Sequence, residues 1–289
     1  MAAPDTQAPA TPAPSTPAPS TPAPSSRTRK GGAGHRLRVL RSERLTPHLL
    51  RVVFGGPALD GVVDNGFTDK YVKLAFPRPG VEYPEPFDVP AIRESMPREA
   101  WPIVRTYTVR ALDHAAGELA IDFVVHGDTG VAGPWALAAA PGDELTMMGP
   151  GGAYAPSPEA DAHVLVGDEA ALPAIAAALE SVTSGVPVHA YVQVDGPDDE
   201  IALATSEAVT LRWLHRNAGE DLVETVRAAE WPAGTVHAFV HGETGDVKAL
   251  RSHLLDERGL DRAWLSISGY WRRGADEDTF QAEKKAAKD

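Results

Sequence analysis

The heptapeptide VRTYTVR, Val104 to Arg110, sets two arginines, a tyrosine and two threonines on one short segment. Its period-two alternation predicts a β-strand whose outward face carries Arg105 and Tyr107. A guanidinium is a planar fork of donors that matches a phosphate. A phenol ring offers a flat face to a heteroaromatic ring, and the Thr108 hydroxyl can bond a ring nitrogen. Together Arg105, Tyr107 and Thr108 suit a flavin nucleotide, its ring over Tyr107 and its pyrophosphate at Arg105. The same residues also suit an edge strand that meets only water.

Three other stretches carry comparable chemistry. HGDTGVAGPWA, His126 to Ala136, runs glycine-rich backbone into a helix start, where N–H groups can converge on an anion; the glycines also suit a plain tight turn. GDEAALPA, Gly167 to Ala174, follows an apolar strand without the G-x-G-x-x-G pattern. Asp168 and Glu169 would repel a pyrophosphate, so a nicotinamide end fits this turn better; either carboxylate serves equally as a helix cap. SGYWRRG, Ser268 to Gly274, ends the last strand; Tyr270 and Trp271 suit either the core or a domain cleft, and the arginines, Arg273 among them, suit either solvent or that cleft. His237 and His241 lie four apart on a strand, roughly 13 Å, too far to share one metal ion. No P-loop or nucleophile elbow is present.

These stretches need elements to position them. Residues 1–34 are led by a proline-broken TPAPS repeat that cannot bury enough surface to offset ordering entropy, so a disordered tail is expected. Residues 35–155 read as short alternating strands and turns, the pattern of a small antiparallel β-barrel or sandwich. Residues 156–289 alternate near-continuous apolar strands with amphipathic helices, the pattern of an α/β domain with a parallel sheet, and end in a charged extension. Asp5 against Arg27, Arg29 and Lys30 leaves the first 34 residues at +2 and the remainder at −15, for a total of −13. Such a body is a poor partner for nucleic acid, so any anionic ligand must be held locally. The absence of cysteine excludes disulfides, thiolate catalysis and cysteine-ligated metal. No apolar run reaches the ~18 residues of a membrane span, and no secretory core opens the chain; a cytoplasmic monomer is the simplest expectation.

In this order, RTYTVR, DFVVHGD…GPWA, GDELTMMGPGGAY, LVGDEAALPAIAAALE and ISGYWRRG resemble the siderophore-interacting proteins, FAD-containing ferric-siderophore reductases of the ferredoxin–NADP reductase-like superfamily. The resemblance covers about residues 35–285. It implies an FAD-binding barrel followed by an NAD(P)H-binding α/β domain, with reduction of Fe(III) to Fe(II) in a ferric siderophore. By motif position it implies Arg105 on the FAD phosphates and Tyr107 and Thr108 beside the isoalloxazine. His126, Gly127, Gly130, Val131, Ala132 and Trp135 would complete the cofactor cradle, and Asp168, Glu169, Leu172 and Trp271 would border the nicotinamide. Two departures stand out: Ala170 replaces a usual threonine, and GVAG replaces a usual Gly-Pro-Ala-Ser, so backbone donors must serve the pyrophosphate.

The expected reaction is hydride transfer from NAD(P)H to the flavin, then single-electron reduction of ferric ions. The acidic run Asp195, Asp198, Asp199 and Glu200 after the second parallel strand would repel a 2′-phosphate and favours NADH. Lys70 and Arg273 are the expected contacts to an anionic chelate. Lys73, three residues from Lys70, would fall on the opposite strand face. The rival readings are a flavin reductase for another acceptor and a non-enzymatic carrier of ferric chelates.

Overall fold

The computed structural model describes residues 34–127, 130–275 and 279–280. The expected tail lies outside them, apart from Gly34. The first part is built of β1 (His35–Thr46), β2 (Leu49–Gly55), β3 (Tyr71–Phe76), β4 (Ile103–Asp113), β5 (Glu118–Val124) and β6 (Glu144–Gly151), with α1 (Val89–Ser95) before β4 and α2 (Ala132–Ala138) after β5. The strands close into a barrel in the order β1-β2-β5-β4-β3-β6. Closure follows from alternation: Leu37 and Val39, Val52 and Phe54, Val72 and Leu74, and Leu119, Ile121 and Phe123 all point inward and leave almost no surface exposed. α2 covers one end of this core. Its Trp135 lies parallel to Phe54 (6.1 Å, 5°) and edge-on to Phe76 (5.6 Å, 70°).

The second part holds β7 (Ala162–Asp168), α3 (Leu172–Ser181), β8 (Val188–Val194), β9 (Val209–His215), α4 (Leu222–Ala228), β10 (Val236–Glu243), α5 (Thr244–Ser252) and β11 (Leu265–Trp271). The strands form a parallel sheet in the order β11-β10-β7-β8-β9. Helices on both faces bury β7 along its whole length, which is why it reads as an unbroken apolar run. The chain moves from β7 outward through β8 and β9, then returns to the other side of β7 with β10. The β7–β10 boundary is therefore the topological switch point, where open sheets of this kind bind ligands at their strand carboxyl ends.

The two parts share packing. Leu49 of β2 and Tyr154, from the segment after β6, are buried in one cluster with Leu165, Leu172, Ile175, Leu179 and Phe239 of the α/β part. Arg110 of β4 forms a bidentate pair with Glu180 of α3. His48, in the turn between β1 and β2, bonds both carboxylate oxygens of Asp199 at 3.0 Å, and its backbone N–H donates to Asp199 at 3.2 Å. Within the barrel, Arg51 of β2 makes a two-point pair with Asp122 of β5 (2.6 and 2.8 Å).

Two outcomes follow from these pairs. Asp122→Ala strands the half-buried Arg51 guanidinium and lowers unfolding free energy by about 3 kcal/mol in urea titration. Asp199, followed by the charges of Asp195 and Glu169, raises the His48 pKa above its ordinary 6.5. A raised histidine pKa contributes stability that is complete below the unfolded value and lost as pH rises through the folded one. The gap in urea midpoint between wild type and Asp199→Asn is therefore widest below pH 6.5 and narrows in alkaline buffer.

Candidate functional site

A cavity of about 1880 Å³ lies between the barrel and the sheet, roughly twice the upper range of a pocket for a single drug-sized ligand. Its barrel wall comes from β3 and β4. In the β3–β4 ladder Arg105 stands opposite Leu74 and Tyr107 opposite Val72, while Thr106 and Thr108 stand opposite Lys73 and Tyr71. Leu74 and Val72 point into the barrel, so Arg105 and Tyr107 share the inward face. The outward face expected to carry them carries Thr106 and Thr108 instead. Tyr107 still reaches the cavity wall, with its ring 4.5 Å from Phe123. Arg105 is half-buried, donates to the Val104 carbonyl at 3.0 Å, and is not among the described residues lining the cavity.

The loop after β5 supplies His126 to the wall, its ring 6.2 Å from that of His48. Gly127 and Gly130 adopt φ of +57° and +82°, and among the described residues no atom beyond their chain neighbours lies within 4 Å of where a Cβ would stand on either. That is open backbone able to face a ligand. Asp128 and Thr129 between them lie outside the described residues. Val131 caps the start of α2, and Ala132 and Trp135 pack on the barrel core, so Trp135 acts from beneath the loop rather than at the cavity wall.

The opposite wall is the carboxyl edge of the sheet. Asp168 ends β7 with 3% of its surface exposed. Its Oδ1 accepts from the Ala170 N–H (2.9 Å), and its Oδ2 accepts from the Glu243 N–H (2.8 Å) and the Trp271 Nε1–H (2.7 Å). One carboxylate thus ties together the ends of β7, β10 and β11. Burial first, then the charge of Glu169, push its pKa up to about 6 against the pull of these donors. Gly242 makes room for it. With φ of +142°, this glycine passes so close that a Cβ would stand 2.7 Å from Asp168 Oδ2.

Glu169 lines the cavity and is gripped at two points by Arg216 (2.9 and 2.9 Å), which also contacts Asp195. Leu172, expected beside a nicotinamide, is buried in the interdomain core, and Ala170 and Pro173 take its place at the wall. Trp271 and Arg273 do line the cavity, and the Arg273 N–H donates to Glu243 at 3.0 Å. Tyr270 crosses to the barrel and shares a hydrogen bond with Thr108; desolvation raises its pKa. Lys70, expected at the mouth, pairs with Asp64 at 3.0 Å and does not line the cavity, whereas Lys73 does. The β3–β6 register shifts between Tyr71 and Lys73, an irregularity invisible in the residue spacing. Of the acidic run, Asp195 faces the cavity, Asp199 is occupied by His48, and Glu200 pairs with His215 at 2.8 Å.

Sequence reasoning missed Arg216, His48, Asp69 and the Ser266–His241 pair. Asp69 accepts from the N–H groups of Ala153 and Tyr154 at 2.8 Å each and so shapes the crossing between the two parts. None of these sits in a local pattern. Only the glycine at 242, breaking a strand before a helix, could have drawn attention to its surroundings.

The donor set fits a flavin nucleotide: an aromatic face at Tyr107, hydroxyls at Thr106 and Thr108, a polar ring at His126 and open glycine backbone. Asp168→Asn tests the carboxyl edge. An amide nitrogen would face an N–H on one side of the cluster, at a cost of about 1–3 kcal/mol. Releasing the Trp271 indole shifts tryptophan emission to the red and weakens near-ultraviolet circular dichroism, while far-ultraviolet spectra stay unchanged.

Comparison with known proteins agrees with this geometry. Residues 38–154 match the family model of the siderophore-interacting FAD-binding domain, and residues 160–274 match that of the siderophore-interacting protein. The chain is 32% identical to the ferric vibriobactin reductase ViuB of Vibrio cholerae, covering 86% of this chain and 93% of that protein. It is 34% identical to the NADPH-dependent ferric-chelate reductase of Escherichia coli, covering 81% and 91%. The crystal structure of the siderophore-interacting protein SipS from Aeromonas hydrophila superposes with a TM-score of 0.75 at 30% identity, covering 88% of this chain and 98% of that one. A closed antiparallel barrel joined to a five-stranded parallel sheet, matched along both halves, makes this chain a member of the siderophore-interacting protein family with its FAD-binding domain.

Proposed function

We propose that the protein is an FAD-dependent reductase of ferric siderophores that draws electrons from a reduced nicotinamide, NADH in preference to NADPH. The observation that carries this reading is the single cavity with two unlike walls: Tyr107, Thr106, Thr108 and His126 on the barrel side, and Glu169, Ala170 and Trp271 at the sheet's switch point. Bound FAD supplies the conversion of a hydride pair into single electrons. The chain's own residues do the rest. Tyr107 and the glycine loop hold the flavin nucleotide. Asp168 fixes the Trp271 indole, and Arg216 fixes Glu169, so the nicotinamide would meet an already shaped edge. Lys73 and Arg273 place positive charge on the wall of an otherwise acidic molecule, where an anionic chelate is attracted.

The nicotinamide preference rests on charge. Glu169 and Asp195 surround Arg216, two carboxylates to one guanidinium, so this corner repels a 2′-phosphate. The Escherichia coli relative is named for NADPH, which makes the local charge the thing to test. Among the described residues no helix is long and apolar enough to cross a membrane; a cytoplasmic monomer remains the working picture.

Purified from flavin-replete cells, the protein is expected to be yellow and to be bleached by NADH without oxygen. A ferric siderophore should restore the colour as a ferrous-specific chelator develops its own. Colourless protein that cannot rebind FAD overturns the reading. In steady state kcat/KM is expected to be higher for NADH, and Asp195→Ala, by freeing Arg216 for a phosphate, raises kcat/KM for NADPH about tenfold. Wild-type protein that prefers NADPH refutes the charge argument.

A further inference from the structure

The cavity does not stop at the carboxyl edge. It runs along β11 from Trp271 back to Trp264, with Ser266 and His241 on its wall. From Ser266 to Trp271 is roughly 16 Å of strand, so Ser266 stands apart from the Trp271 end of the cavity, while His241 lies two residues before Glu243 of the Asp168 cluster. Ser266 Oγ and His241 Nε2 are 3.0 Å apart. The imidazole is 5% exposed and held in one orientation, stacked on Phe239 (4.0 Å, 18°) and packed against Tyr270 (4.8 Å, 60°). Packing alone does not call for a histidine and a serine on neighbouring strands of an apolar sheet, and neither contributes to the flavin or nicotinamide walls.

Resting on the ferric-siderophore reading above, we propose that Ser266 and His241 form a proton relay that protonates the chelating oxygens of the substrate as its iron is reduced. Siderophores of the catecholate and hydroxamate classes hold Fe(III) through anionic oxygens. One electron, which a flavin held by the barrel wall and recharged by reduced nicotinamide would supply, turns Fe(III) into Fe(II). An iron–oxygen bond then breaks, with both bonding electrons staying on oxygen. That oxygen takes the Ser266 hydroxyl proton while Ser266 Oγ takes the proton on His241 Nε2, and solvent returns a proton to the imidazole. A positioned acid of this kind prevents the oxygen from closing again on the metal. Ser266 is the group that touches substrate; His241 acts through it.

The experiment compares two oxidants of the NADH-reduced holoprotein under anaerobic conditions. Iron(III) tris-acetohydroxamate must gain protons to release iron; hexacyanoferrate(III) accepts an electron without ligand protonation. For Ser266→Ala and His241→Phe, the ratio of the acetohydroxamate rate to the hexacyanoferrate rate is expected to fall about tenfold. The solvent deuterium effect on ferrous release is expected to change with it. Ser266→Thr, which keeps a hydroxyl, restores both. The redox-inert gallium(III) acetohydroxamate complex, followed by quenching of tryptophan fluorescence, is expected to bind wild type and Ser266→Ala equally. An unchanged ratio in Ser266→Ala overturns the relay, as does a ratio that falls only because gallium-complex binding is lost. Wild-type protein that is reoxidised by hexacyanoferrate but by no ferric chelate overturns the reductase reading itself, a result distinct from failure of the relay.

Discussion

A single buried carboxylate holds the cavity's sheet-side wall together. Asp168 ends β7 at the switch point of the parallel sheet and accepts three N–H groups, from the ends of β10 and β11 and from the turn that follows β7. Two of the donors lie at strand termini and the third in a turn, where buried polar groups need a partner outside the ladder. Satisfying them with one acceptor fixes the relative heights of β7, β10 and β11. It also aims the Trp271 indole, since a ring tethered through Nε1 at 2.7 Å keeps little freedom. Burying that charge is costly, as its raised pKa records. Three donors make the cost bearable, and a glycine with positive φ at 242 makes it sterically possible.

The second constraint is the attachment of barrel to sheet. Apolar contact through Leu49, Tyr154 and Leu172 gives the interface its adhesion, while charged pairs set its register. Arg110 with Glu180 and His48 with Asp199 act at separate points, so sliding one part over the other would break several directed bonds at once. Arg216 continues the same logic within the α/β part, holding Glu169 to the wall and pulling Asp195 beside it. The cavity keeps its shape because both walls are fastened to a common, partly polar seam. Lys73 and Arg273 stand on the cavity wall together with Glu169 and Asp195, so the wall of this molecule of net charge −13 carries both signs.

Local pattern in the sequence determined the elements and their classes. Period-two alternation gave the barrel strands, unbroken apolar runs gave the buried parallel strands, and the ordered motifs around Tyr107, Gly130, Glu169 and Trp271 pointed to the cavity, because each expresses a regularity of one strand or turn. Only the tertiary structure decided which face of β4 met the cavity, that Lys73 rather than Lys70 lines it, that Leu172 and Trp135 are core, and that Asp199 belongs to His48. Those outcomes depend on barrel closure, on a register shift between two strands, and on contacts between residues as far as 151 positions apart. A residue's neighbours along the chain fix its local conformation, but its chemical partners are set by how whole sheets pack, and that information is not held in any short stretch of sequence.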